Sequence, residues 1–259
     1  MRYFLKRIRW RLYGIGYWLV QWKKALFPVK RQSFIKSSPV TRAESFLRHL
    51  CEHTFLSMWN YPSVWRDEGK KESGHGKEIC DLLVVFGDHV LIFSDKDCTF
   101  QSEKDISVAW NRWFKNAIEA AKQAWGAETW IKENPKKIYL DRECKKLLPI
   151  DVPPPDRAKY HLIVVAHGIS KHIRETMGGS GSLMINSTIE GISAHTTPFM
   201  VGDLDPSRTF IHVLDDDSLI TLMKDRDTVT DFVLYLEKKE KLLRESPYKI
   251  IAPGEEELL

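Results

Sequence analysis

The chain has 259 residues, of which 43% are hydrophobic, 11% aromatic and 29% charged, a composition typical of a folded globular protein. This composition excludes a collagen-like repeat, a coiled coil and a disordered chain. The four cysteines form no Cys-x-x-Cys pair, so we expect neither a disulfide framework nor a thiolate zinc site. Cysteines without such pairs are typical of proteins in a reducing cytoplasm. No apolar run reaches the roughly 18 residues that predict a membrane-spanning helix.

The net charge of +4 is distributed unevenly along the chain. Residues 1–43 carry eleven lysines and arginines and no acidic residue, whereas the remaining 216 residues carry 28 basic and 35 acidic ones. We therefore expect a polyanion partner to contact the amino-terminal segment first.

Residues 1–31 combine basic clusters with an apolar, aromatic centre between Leu12 and Trp22. No small-residue cleavage site follows, which argues against a secretory signal. Two interpretations stay open: a basic aromatic helix at an anionic membrane surface, or a helix packed on the domain with a solvated basic face. We assign residues 1–35 to this segment and its linker, and residues 36–259 to an α/β domain.

The first predicted element of the domain is a helix that begins at Thr41, with Glu44 three positions later as in a capping box. A polar loop that contains glycines follows it. Two runs rich in Val, Ile, Leu and Phe then flank Gly87 and Asp88, which predicts a two-residue β-hairpin over residues 78–100. Because both runs are apolar on both faces, these strands should be central and covered on each side.

The remaining predicted elements alternate between helices and strands. A long amphipathic stretch predicts one helix or a helix pair that ends before Pro135, and a proline-rich stretch predicts a connector without regular structure. The predicted ranges are 105–131 (helix), 147–157 (connector), 161–166, 183–187 and 210–214 (strands), and from near 217 and 228–244 (helices). This interleaving predicts an α/β fold with a central mixed β-sheet flanked by helices.

The hairpin places a carboxylate beside a lysine on two central strands. If the strands pair outward from the turn, the residue numbers of each pair sum to 175, so Asp81 lies opposite Ser94. Alternation puts Lys96 on the same face, and directly opposite Cβ atoms are about 5 Å apart. Buried ions are costly unless they are paired or bind a metal. The alternative interpretation is a solvent-exposed ion pair at the strand ends.

These residues resemble the PD-(D/E)xK nuclease superfamily, whose fold is the restriction-endonuclease-like fold. In that superfamily an aspartate opens one central strand, an acid-x-Lys motif lies on the next, and helices flank the pair. Asp81 matches the first acid and Lys96 the lysine, while Glu44 matches an acid that many members carry on the preceding helix. Gln123 resembles the helical Gln or Lys of several subfamilies, and the resemblance covers residues 41–130.

The sequence departs from the superfamily motif at one position, because Ser94 stands where the acid of acid-x-Lys is expected. Asp95 is adjacent, but simple alternation points it to the opposite face, and only a bulge or a strong twist would bring it round. The resemblance implies that Asp81 holds Mg²⁺ or Mn²⁺ together with a rotated Asp95 or with Glu44.

The resemblance also implies roles for the two remaining polar side chains. Lys96 would orient the attacking water or neutralise the negative charge that develops on the phosphoryl oxygens. Gln123 would position a phosphate or hold Lys96 by a hydrogen bond.

Three hypotheses follow for the function. The first is a cytoplasmic, metal-dependent nuclease that hydrolyses phosphodiester bonds of DNA, with bacterial defence or repair suggested by family analogy alone. The second is a catalytically inactive binding module on the same fold, which the loss of the acid at Ser94 favours. The third makes residues 1–31 a peripheral membrane anchor beside which the domain acts.

Two other groups of polar residues contain side chains of the metal-binding types. The three aspartates at 215–217 precede Ser218, which predicts a turn and a helix N-cap in preference to a second metal site. The histidines of the second half show no ligand spacing, so no metal site is expected among them. They are His161, His167, His172, His195 and His212.

Overall fold

The computed structural model describes residues 59–70, 74–226 and 228–259. The basic segment 1–31, the helix predicted from Thr41 and the candidate ligand Glu44 lie outside the described residues. The assignments of these regions, and the boundary after residue 35, stay predictions.

The described part of the chain contains eight strands in two sheets. They are β1 Asn60–Arg66, β2 Lys77–Phe86, β3 His89–Lys96, β4 Lys159–Ala166, β5 Met184–Glu190, β6 Met200–Asp203, β7 Ile211–Leu214 and β8 Ile251–Ala252. The larger sheet has the order β1-β2-β3-β4-β7, and the smaller has the order β6-β5-β8. In the larger sheet β1, β2 and β3 are antiparallel neighbours, whereas β3, β4 and β7 run parallel. The predicted mixed sheet is therefore confirmed.

The described residues also contain four α-helices and two short 3-10 helices. They are α1 Ile106–Glu133, α2 Ser170–Met177, α3 Asp216–Asp225, α4 Val229–Glu245, η1 Ile192–Ala194 and η2 Glu255–Leu258. Helix α1 is one continuous helix and not a helix pair. The side chain of Asp105 caps its start by accepting from the amides of Ser107 and Val108, and the helix ends two residues before Pro135. None of the helices in these described ranges is long and apolar enough to cross a membrane.

The predicted hairpin forms with the predicted register. Gly87 adopts a φ of 58°, which a two-residue turn of this kind requires and which glycine adopts without strain. The recorded pairs run from Phe86 opposite His89 to Leu82 opposite Phe93, and each pair sums to 175. The pairing stops there, so the predicted pair of Asp81 and Ser94 does not form.

Both faces of the larger sheet are buried, as the apolar runs predicted. One face packs against α1, where Trp113 and the helix alanines meet Leu83 and Ile92. The other face packs against α3 and α4, where Phe232 lies near Phe93 with ring centroids 6.2 Å apart. The tryptophans of α1 thus belong to the core.

Six described elements were not predicted: β1, β6, β8, α2, η1 and η2. Strand β1 contains Pro62, has a positive φ of 47° at Ser63, and has an irregular register between Val64 and Trp65. Proline is tolerated in an edge strand because one side of that strand has no ladder to join. These irregularities hide the alternation by which strands are recognised in a sequence.

Candidate functional site

The two strands of the hairpin separate at the end that carries the predicted site. From the turn to Leu82 and Phe93, β2 and β3 are paired residue by residue. Further from the turn, the first residues of β2, between Lys77 and Cys80, stay paired with β1. The last residues of β3 stay paired with β4, where Asp95 is the partner of Val165. The sheet is therefore forked between β2 and β3.

The carboxylate of Asp81 lies inside this fork. In a hairpin with a two-residue turn, hydrogen-bonded pairs alternate, so the amide of Asp95 would next donate to the carbonyl of Cys80. It donates instead to Oδ2 of Asp81 at 2.7 Å. A side-chain carboxylate replaces a backbone acceptor, so the strands separate without leaving the Asp95 amide unpaired.

The carboxylate of Asp95 is directed toward His167, the residue that follows β4. Its Oδ1 lies 2.5 Å from Nε2 of His167, and the Asp95 side chain is only 3% exposed. Strand β3 pairs with β4 as far as Lys96 without a bulge. Side chains of β3 therefore alternate between the two faces as far as Lys96. The pairing with β4 contains no bulge that would turn Asp95 to the face of Lys96.

The imidazole of His167 lies between two carboxylates, and we call Asp95, His167 and Asp216 the carboxyl-edge cluster. Nδ1 of His167 contacts Oδ1 of Asp216, and the amide of Gly168 donates to Oδ2 of Asp216 at 3.0 Å. Burial alone lowers the pKa of His167, but the hydrogen bonds to Asp216 and Asp95 and their charges outweigh it and raise the pKa to about 10. At neutral pH the ring is therefore a cation.

Asp216 is held in place by the start of helix α3. The cap residue Asp215 accepts from the amides of Asp217 and Ser218, which confirms the predicted N-cap. Burial opposes ionisation of Asp216, but the hydrogen bond from His167 lowers its pKa below the usual value. Asp216 therefore contributes a negative charge to the cluster at neutral pH.

Ser94 and Gln123 meet on the other face of the sheet. The Oγ of Ser94 donates to Oε1 of Gln123 at 3.4 Å, so α1 brings this glutamine over the end of β3. Ser94 is buried, whereas Lys96 is half-buried two residues further along the same strand. The structure thus brings Gln123 beside the position at which the superfamily motif has its acid.

The site lies at the carboxyl ends of the three parallel strands. Lys96 ends β3, His167 follows β4, and Asp216 follows β7 by two residues. The chain leaves β3 for α1 on one face and leaves β7 for α3 on the other. In open α/β sheets, ligands bind in the crevice that such diverging connections leave at the carboxyl edge.

One side chain at the fork fits a hard divalent cation in its chemistry. The Asp81 carboxylate supplies the oxygen ligands that Mg²⁺ and Mn²⁺ prefer, whereas the Asp95 carboxylate is directed away from it, toward His167. One oxygen of Asp95 is engaged by His167, and Glu44 lies outside the described residues. Within 59–70, 74–226 and 228–259, no group of three potential ligands forms at this edge.

Sequence reasoning missed the two partners of Asp95. In the sequence, His167 is one of several histidines without ligand spacing, and Asp216 belongs to a predicted helix start. Each of them comes within two residues of the end of a predicted strand. Because the carboxyl ends of parallel strands meet at one edge, their positions after the strands were a usable signal.

No family model, curated protein or solved structure matches this chain. The function is therefore argued from the residues of the fork and their geometry.

Proposed function

We propose that this chain is a metal-dependent nuclease that hydrolyses phosphodiester bonds of DNA at the fork between β2 and β3. One observation carries the proposal. The Asp81 carboxylate accepts a hydrogen bond from the backbone amide of Asp95, the residue before Lys96, at the point where the two strands separate. The Asp81 carboxylate is thus held against the backbone of the residue that precedes Lys96 in β3.

The order of the elements supports the proposal. An antiparallel pair carries Asp81 on its first strand and Lys96 on its second, helix α1 follows, and β4 then lies parallel to β3. This arrangement resembles the aspartate strand, the acid-x-Lys strand and the flanking helix of the PD-(D/E)xK superfamily.

The side chains of the fork have separate tasks under this proposal. If held by Asp81 together with Glu44, or with an Asp95 rotated away from His167, Mg²⁺ or Mn²⁺ would polarise the scissile phosphate and lower the pKa of a water. Lys96 places its ammonium group where negative charge develops on the phosphoryl oxygens. His167 compensates the charge of the buried Asp95 and fixes its carboxylate.

The surface of α1 beside the fork suits a polyanion. Glu119 is exposed, and its pKa is lowered by a hydrogen bond from Lys122 and by the charges of Lys122, Lys115 and Lys96. Lys122 pairs with Glu119 at 3.0 Å, and the charges of Lys115 and Lys96 also act on this acid. Lysines at such a surface bind the phosphate backbone without regard to sequence, and the affinity falls as salt increases.

A second candidate function is a binding module that does not cleave DNA. Two observations favour it: Ser94 replaces the motif acid, and the carboxylate of Asp95 is engaged by His167. The two candidates make the same prediction for DNA binding and opposite predictions for hydrolysis.

The test is cleavage of plasmid and single-stranded DNA by the purified full chain, with Mg²⁺ or Mn²⁺ and with EDTA. The proposal expects metal-dependent cleavage that falls at least roughly 100-fold in Asp81→Asn and in Lys96→Met, because each removes a charge that acts in the transition state. Circular dichroism and thermal melting confirm that each variant is folded.

Asp97→Asn and Lys104→Met are the matched controls, since both residues are exposed and lie in the segment that follows β3. They should cleave as the wild type does. Equal cleavage by the wild type and Asp81→Asn would indicate a contaminating nuclease and contradict the proposal. Salt-sensitive binding without cleavage would establish the second candidate instead.

A further inference from the structure

Three neighbouring parallel strands each present a histidine to the face covered by α4. His89 lies on that face because it alternates with Leu91 and Phe93, and Leu91 pairs with His161. His212 pairs with Ile163 of the same face. The three imidazoles therefore run diagonally across the sheet.

Two of these rings form a compact group with an acid of α4, and we call His89, His161 and Glu237 the imidazole cluster. Nδ1 of His89 lies 3.0 Å from Nε2 of His161, and the rings stack with centroids 5.3 Å apart. One nitrogen of each ring and a carboxylate oxygen of Glu237 lie within 4.8 Å of one another. Across the described ranges, this is the one group of three side chains with that spacing.

Both rings of the cluster are neutral at pH 7, the form in which imidazole binds metals. Burial, and secondarily the neighbouring His89, lowers the pKa of His161 to about 4. Burial also lowers the pKa of His89, although the charge of Glu237 acts against it. Each neutral ring carries one nitrogen lone pair, and the hydrogen bond between the rings uses only one of the two.

We propose that His89, His161 and Glu237 bind one divalent transition-metal ion of the zinc class, at a site separate from the fork. Two imidazole nitrogens and one carboxylate oxygen form the protein ligand set of many zinc sites that keep an open position. Donors around tetrahedral zinc are about 3.3 Å apart, so small side-chain movements bring all three to bonding distance. The proposal does not depend on nuclease activity.

The ligand types select the ion. Imidazole nitrogen suits zinc, copper and nickel, whereas Mg²⁺ prefers oxygen ligands and retains its waters.

The site is accessible from one side, because the Glu237 side chain is 38% exposed and His89 is half-buried. The third imidazole is fully buried, and Nδ1 of His212 has no hydrogen-bond partner.

The nearby Lys159 does not block the site. Its Nζ donates to Oε1 of Glu237 at 3.1 Å, and its side chain is 60% exposed. A carboxylate has two oxygens, so it can accept Lys159 and bind a metal at the same time. The ligands come from β3, β4 and α4, so a bound ion would join the helix to the sheet.

The experiment measures binding of Zn²⁺ and Co²⁺ to the full chain after removal of metals with EDTA and dialysis. We expect one equivalent of Zn²⁺ by isothermal titration, a rise in Tm on binding, and a visible Co²⁺ spectrum without a thiolate charge-transfer band. His89→Gln and Glu237→Gln should weaken binding at least about 100-fold, since outer partners of ligands alone are worth 10–100-fold.

His172→Gln is the matched control, because His172 is a half-buried histidine on α2 and should leave Zn²⁺ binding unchanged. The melting curve of each metal-free variant shows whether it is folded. Absence of a Co²⁺ spectrum in the wild type would overturn the proposal. So would a folded His89→Gln protein that binds Zn²⁺ as tightly as the wild type.

Discussion

The two ends of one sheet face carry histidine and carboxylate clusters whose imidazoles differ in charge. At the carboxyl edge one imidazole lies between Asp95 and Asp216, and at the amino edge two imidazoles share Glu237 with a lysine. Six residues of β3 separate His89 from Asp95, a distance of about 20 Å. The same residue type is thus a cation at one end and neutral at the other.

The number of carboxylates beside each imidazole explains why the rings differ in charge. Burial disfavours the charged ring at both ends, but two adjacent carboxylates reverse that effect for His167. His161 has another imidazole beside it, and its pKa stays low. The charge of a buried histidine is therefore set by its neighbours across the sheet, and the first three of the following predictions test this.

The largest effect is expected at the centre of the carboxyl-edge cluster. His167→Ala leaves Asp95 buried without its partner, so the free energy of unfolding at pH 7 should fall by about 3 kcal/mol. Urea unfolding measures it. Lys136→Ala, at an exposed loop position, should stay within about 0.5 kcal/mol of the wild type. A His167→Ala protein as stable as this control would show that the cluster contributes nothing.

The second prediction is that the two clusters give opposite pH dependence in EDTA. The pKa of His167 is raised from 6.5 to about 10, so its contribution is complete below pH 6.5 and is lost as pH rises toward 10. The pKa of His161 is lowered from 6.5 to about 4, so its contribution is present above pH 6.5 and is lost as pH falls toward 4.

Variants separate the two limbs of this pH profile. His167→Gln should flatten the alkaline limb and His161→Gln should reduce the acid limb, as followed by urea midpoints between pH 4 and pH 10. An alkaline limb that survives in His167→Gln would show that another group causes it.

The third prediction concerns the more exposed acid of the carboxyl-edge cluster. Asp216 is 35% exposed in its side chain, so Asp216→Asn should cost about 1 kcal/mol, less than the loss of His167. It should also move the alkaline limb to lower pH, because one of the two carboxylates that hold the proton is gone. Titration of the imidazole by NMR measures that shift, and an unchanged pKa would contradict the paired arrangement.

The smallest effect is expected on the other face of the sheet. Gln123 is exposed and accepts a 3.4 Å hydrogen bond from Ser94, so Gln123→Ala should change the free energy of unfolding by less than about 0.5 kcal/mol. A large loss in thermal melting would mean that this contact supports the end of β3 more than its geometry indicates.

The sequence was most informative where structure depends on local rules. Gly87 and the alternating apolar residues determined the hairpin and its register, because turn chemistry and side-chain alternation act over a few residues. The start of α3 was equally predictable from the sequence, since the capping Asp215 lies two and three residues from the amides that donate to it.

The carboxyl-edge cluster could not be read in the same way. His167 is 72 residues from Asp95 and 49 from Asp216, so only the packing of three strands brings them together. The fork is equally non-local, because it depends on β2 following an irregular β1 while β3 follows β4. The assignments of Glu44 and of residues 1–31 stay predictions from sequence.

The contact between α1 and the end of β4 has a practical consequence for optical measurements. The indole of Trp113 is fully buried and donates to the backbone carbonyl of His167 at 2.8 Å. Its emission should therefore be blue-shifted and sensitive to any displacement of that carbonyl. A Trp113→Phe difference spectrum would then isolate this signal from the other eight tryptophans of the chain and report events at the fork without an added label.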